Sequence, residues 1–112
     1  MDGIRRADYD EEAVTLEVEG ELDIDSGETL KRAVRGVLDQ GAQKVRIDLS
    51  PTTFMDSAGL AALVRAARDI SEARGQVEVY SPKGSEARVF IDLSGVRSLL
   101  GLTDDPPQGR ED

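Results

Sequence analysis

Residues 48–60 read Asp-Leu-Ser-Pro-Thr-Thr-Phe-Met-Asp-Ser-Ala-Gly-Leu, and the pair that could do chemistry is Asp56-Ser57. It falls where a strand and its loop hand over to a helix. The unpaired backbone N–H groups of a first helical turn, together with the helix dipole, favour an anion there. Ser57 then has two readings. One is a hydroxyl that caps the helix; the other is an exposed hydroxyl that accepts a phosphoryl group. Gly59 in the first turn costs about 0.5–1 kcal/mol relative to Ala, and its missing side chain lets another backbone come close. These features together describe a docking surface that can be modified.

Other chemistries fare worse. The chain has no His and no Cys, which removes Ser-His-Asp and Cys-His catalysis, disulfides and ordinary zinc sites. Asp23, Asp25, Asp48 and Asp56 all fall at strand ends or in the loops that follow, where sites gather in an open α/β sheet. They could form an acid–base pair or an oxygen-only, magnesium-like site, or simply serve as solvated loop residues and helix caps. Gly36 and Gly41 have Walker A spacing, but Ala42-Gln43 follows where Lys and Ser or Thr are required. No G-x-G-x-x-G occurs. The expectation is a chain without catalysis of its own, without cofactor and without metal.

Of 112 residues, 23 are acidic and 14 basic, for a formal net charge of -9. That balance argues against a nucleic-acid binder. The acid excess sits at the two ends of the chain, as a solubilising surface or as steering toward a basic partner. No apolar run approaches the roughly 20 residues of a membrane helix, and Met1-Asp2-Gly3 does not begin a signal peptide. The expected compartment is the cytoplasm.

The elements that must position Ser57 follow from periodicity. Ala13 to Gly20 alternates, with Val14, Leu16 and Val18 facing a core and Thr15, Glu17 and Glu19 facing water. Ile4 to Tyr9 is its antiparallel partner. Asp25 or Ser26 caps a helix through Gln40, with Leu30, Val34, Val37 and Leu38 on its apolar stripe, and Gly41 stops it. Lys44 to Ser50 is a second strand with Val45, Ile47 and Leu49 inward against Arg46 and Asp48. Pro51 to Met55 reads as a loop with Phe54 and Met55 tucked beneath it. Ser57 to about Arg74 is a helix, Val77 to Tyr80 a strand, and Ser85 caps a further helix that Gly95 ends. Val96 to Leu102 is a last apolar piece. This order describes one α/β domain over residues 1–103: a small mixed, mostly parallel sheet, helices mainly on one face, and an N-terminal antiparallel strand. Residues 104–112, with Pro106-Pro107, read as a disordered acidic tail.

Asp56-Ser57-Ala58-Gly59-Leu60, after the strand Val-Arg-Ile-Asp-Leu-Ser, resembles the phosphorylatable signature of bacterial anti-sigma factor antagonists in the STAS domain family. Gly20-Glu21-Leu22-Asp23 is similar to that family's G-E-L-D loop, and Leu93-Ser94-Gly95-Val96 with Leu99-Leu100 to its closing region. The resemblance covers roughly residues 8 to 104. It implies a STAS-like fold and a regulatory switch. The partner would be an anti-sigma factor, often itself a serine kinase, with a serine phosphatase restoring the hydroxyl. Carried over by position, Ser57 is the phosphoacceptor, and Asp23, Asp56, Gly59 and Leu60 join it at the partner interface. The alternative on the same fold is a scaffold or transporter-associated binding module in which Ser57 is not phosphorylated. Neither reading decides between monomer and dimer.

Overall fold

The computed structural model describes residues 3–10 and 12–107. In chain order these form β1 (Ile4–Asp10), β2 (Ala13–Val18), β3 (Gly20–Leu22), α1 (Ile24–Asp39), β4 (Lys44–Asp48), β5 (Thr52–Met55), α2 (Ser57–Glu72), β6 (Gln76–Tyr80), α3 (Glu86–Ser94), α4 (Arg97–Leu100) and β7 (Leu102–Thr103). Five strands make one sheet in the order β1-β2-β4-β6-β7, antiparallel between β1 and β2 and parallel elsewhere. The mixed, mostly parallel α/β fold is the one expected from the order of the elements.

The register stacks apolar residues in rows. Val14 pairs with Val45 and Val45 with Val77, while Leu16 pairs with Ile47 and Ile47 with Val79. Parallel strands in register point matching residues to the same side, so these rows form one continuous apolar face. Leu30, Val34 and Val37 of α1 and Leu63, Ala66, Ala67 and Ile70 of α2 close the core over it. The two helices approach tightly because they meet through small residues. A Cβ on Gly27 would lie 2.6 Å from the Ala62 Cβ.

Four expectations need correction. The second face of the sheet is not wet: Thr15 and Asp48 are fully buried, and Glu17 and Arg46 nearly so. For Glu17 and Arg46, register supplies the reason. Arg5 stands opposite Glu17 and donates to its carboxylate through Nε at 2.9 Å, and Arg46 stands beside Glu78 and donates to it at 3.1 Å. Charged side chains held flat by such pairs cover the backbone with their own aliphatic stems. The N-cap of α1 is Asp23, not Asp25 or Ser26. The segment after Pro51 is a strand, because β5 finds a parallel partner in β3. Phe54, expected under that loop, is 44% exposed, whereas Met55 is buried.

The end of the domain is fastened by one buried cation. Arg88 of α3 donates through Nη1 to the Ser81 carbonyl at 3.0 Å and to Asp104 at 2.6 Å, and through Nε to Asp92 at 3.1 Å. Asp104, the first residue of the expected tail, is therefore tied to α3, and Lys83 approaches its other oxygen at 3.6 Å. Residues 108–112 of that tail lie outside the described residues. The hydrogen bond from Arg88 holds the Asp104 carboxyl below its ordinary value of 3.8. A carboxyl depressed by folding stabilises the native state above its unfolded pKa, and this is lost as pH falls through the folded value. Asp104→Asn should lower the thermal midpoint near about pH 7, and the difference from the parent should close below 3.8 as the parent carboxyl protonates. Melts of both proteins across that range measure it.

Candidate functional site

The site is built where two helices begin side by side. Gly20, with φ +84°, turns the chain out of β2 and into β3. The buried Thr52 hydroxyl donates to the Val18 carbonyl at 2.6 Å, and the Gly20 N–H donates to the Pro51 carbonyl at 3.1 Å. These bonds set β3 beside β5, with Leu22 paired to Met55. The next residue on each strand is an aspartate, and each caps a helix: Asp23 for α1 and Asp56 for α2. The Asp56 N–H donates to the Leu22 carbonyl at 3.3 Å and closes the junction.

Gly59 makes that closeness possible. A Cβ there would sit 1.9 Å from the Leu22 carbonyl oxygen and 2.6 Å from its carbonyl carbon. The close backbone approach read from the glycine is thus real, and its partner is the end of β3. Gly59 and Leu60 were expected at a partner interface, but both are buried. Gly59 lies against backbone and Leu60 belongs to the core, so they support the site from beneath.

Asp56 caps α2 through Oδ1, which accepts the Gly59 N–H at 2.8 Å. Ser57 is the first helical residue, not the cap. It is exposed, and its hydroxyl makes no hydrogen bond among the described residues. Asp23 is half-buried and accepts the Ser26 and Asp25 N–H groups, each at 3.1 Å, while the Ser26 hydroxyl accepts the Asp23 N–H at 2.9 Å. This is a reciprocal capping box. The Ser26 N–H, and after it the Ser26 hydroxyl, hold the Asp23 carboxyl below its ordinary value of 3.8. Each of the paired helix starts therefore carries a capping carboxylate, and the one next to the unbonded Ser57 alcohol in the chain is Asp56.

Of the other carboxylates, Asp25 is exposed in the first turn of α1 beside this junction. Asp48 lies elsewhere, buried on the second face of the sheet with its Oδ1 on the Ser50 N–H at 2.9 Å. Among the described residues no three carboxylates are grouped so as to hold a metal ion, and no helix is long and apolar enough to cross a membrane. Two residues at the site were missed in the sequence. Ile24, directly after Asp23, is 67% exposed, and Phe54 projects from β5. Spacing does not reveal either, since an apolar residue reads as core until its surroundings are known.

Two stability measurements separate cap from acceptor. Asp56→Ala should cost about 1 kcal/mol through the lost cap, whereas Ser57→Ala should stay within about 0.5 kcal/mol of the parent. Gly59→Ala should be the most damaging of the three, by about 1–3 kcal/mol or more, because the obstacle is backbone and not a side chain that can swing away. Denaturant titration of the three variants ranks them.

The family model described as "Mlab, STAS domain" matches residues 6–97. The anti-sigma-B factor antagonist of Bacillus subtilis (strain 168) is 25% identical over 93 residues, which is 83% of this chain and 84% of that protein. Among solved structures, an anti-sigma factor antagonist from Mycobacterium paratuberculosis superposes with a TM-score of 0.75 at 24% identity, over 91% of this chain and 85% of that one. The Bacillus cell fate determinant SpoIIAA in its phosphorylated form does so with a TM-score of 0.69 at 21% identity, over 93% and 92%. At these identities the two superpositions show a common fold. With nearly the whole folded region matched by the family model, the chain belongs to the STAS domain family.

Proposed function

We propose that the chain is an anti-sigma factor antagonist. It binds an anti-sigma factor, so that the sigma factor held by that partner is released, and phosphorylation of Ser57 switches binding off. The observation that carries this reading is the Ser57 hydroxyl, exposed and unbonded at the start of α2 while Asp56 supplies the cap. An alcohol with no structural duty is free to be a regulatory one. The curated relative from Bacillus subtilis bears the name of such an antagonist. In this reading the anti-sigma factor, or a kinase working beside it, transfers the γ-phosphoryl group of ATP to the Ser57 oxygen, and a serine phosphatase removes it.

The physics of the switch is local. A phosphoserine carries about -1.5 to -2 charge and three strong acceptors. The N–H groups of the first turn accommodate it, so α2 is not melted. Asp56 and Asp23 already place negative charge at the two helix starts, and Ile24 and Phe54 offer exposed apolar area for a partner. Adding a dianion to that face repels a partner whose contacts were matched to an alcohol. A like-charge clash of several kcal/mol at an interface corresponds to about two orders of magnitude or more in affinity.

Incubation of the protein with ATP and its serine kinase should add one phosphate, seen by intact mass and located at Ser57, and Ser57→Ala should abolish it. Phosphate on any other residue, or none with any cognate kinase, overturns the reading. Ser57→Ala should keep partner binding while losing its regulation, and Ser57→Asp should weaken binding only in part, since one carboxylate reproduces phosphate poorly. Amide shifts on phosphorylation should stay near residues 20–26 and 52–60. Widespread shifts across the sheet would contradict a local switch.

A further inference from the structure

A cavity whose lining shares no residue with the Ser57 junction lies along α1. It opens between β1 and the C-terminal half of α1 and has a volume of about 390 Å³, within the usual size range of small-molecule pockets. Its floor is apolar: Ile4, Leu16 and Val37, core residues that are almost fully buried. Among the described residues, two guanidinium groups stand in its wall and no carboxylate lines it. Arg6 points to the α1 side of the edge strand, in register with Leu16, where an apolar residue would otherwise complete the core. It donates across the gap to the Gln40 side chain at 3.1 Å and to Asp8 at 3.1 Å. Arg32 Nη2 donates to the Thr29 hydroxyl at 3.4 Å, and among the described residues it forms no ion pair. Glu28, which feels its charge, is paired with Lys31.

Gly36 adds an independent observation. Glycine within a helix is destabilising relative to Ala. At Gly27 and Gly59 close packing requires it, but a Cβ at Gly36 would meet nothing within 4 Å. Neither crowding nor a left-handed backbone accounts for this glycine. It lies in the cavity wall.

We infer that this cavity binds a single-chain fatty carboxylate, its acyl chain over Ile4, Leu16 and Val37 and its carboxylate between Arg6 and Arg32. In a chain of net charge -9, an apolar floor flanked by two guanidinium groups, that of Arg6 ion-paired with Asp8 and that of Arg32 without an ion pair among the described residues, favours an anion with an apolar body over cations and neutral polar solutes. Charge-assisted, bidentate contacts to guanidinium are the strong form of such recognition.

The test titrates decanoate, below its micelle-forming concentration, into the isotope-labelled full chain, with decanol as the neutral counterpart. Saturable amide shifts should appear along residues 4–8 and 29–40, with decanol binding about tenfold more weakly or worse. Arg6→Gln combined with Arg32→Gln should weaken decanoate by about tenfold or more. Gly36→Phe should abolish binding by filling the space, with its thermal melt confirming the fold. If that variant does not fold, the double arginine variant decides. Absence of saturable shifts, shifts centred elsewhere, equal binding of decanol, or unchanged affinity in either folded variant would overturn the inference.

Discussion

The contact on which the site depends is backbone against an absent side chain. The first turn of α2 rests on the Leu22 carbonyl so closely that only hydrogen fits on the Gly59 Cα. That approach is possible because β3 and β5 pair in parallel just before their aspartates, which delivers two helix N-termini to one edge of the molecule. Both dipoles then point their positive ends at the same surface. Everything presented there, from the Asp23 and Asp56 caps to the free Ser57 alcohol, inherits its position from that pairing.

Division of labour between adjacent residues is the second lesson. A serine and an aspartate at a helix start compete for one task, since either side chain satisfies a free N–H of the first turn. The aspartate holds it, through the Gly59 N–H. The capping charge is fixed and the alcohol beside it is idle, an arrangement in which chemistry at Ser57 need not unfold anything. The opposite face of the sheet shows a related economy, with Arg5 paired to Glu17 and Arg46 to Glu78 across neighbouring strands, so that the buried Glu17 and Arg46 keep charge partners.

Much of this was legible in the residues alone. Alternation located β2 and β4, helical spacing located α1 and α2, Ser85 and Gly95 bounded α3 as expected, and the isolated glycine at position 59 announced a close backbone approach. The short parallel pair β3 and β5 was not legible, because its stabilising partner lies some thirty residues away and three or four residues carry too little periodicity to announce a strand. The same blindness assigned the α1 cap to Asp25 or Ser26 and hid Phe54 beneath a loop that is in fact a strand.

By itself, the order of residues determined the fold class, the handover from strand to helix at Asp56-Ser57, and the absence of histidine and cysteine chemistry, since these rest on local periodicity and on composition. Only the tertiary structure decided which neighbour caps and which is free, which charged side chains are buried, and that a cavity flanked by Arg6 and Arg32 opens beside α1. Those outcomes turn on pairing between segments distant in the chain, and a hydroxyl or a guanidinium acquires its role only from whatever the fold sets against it.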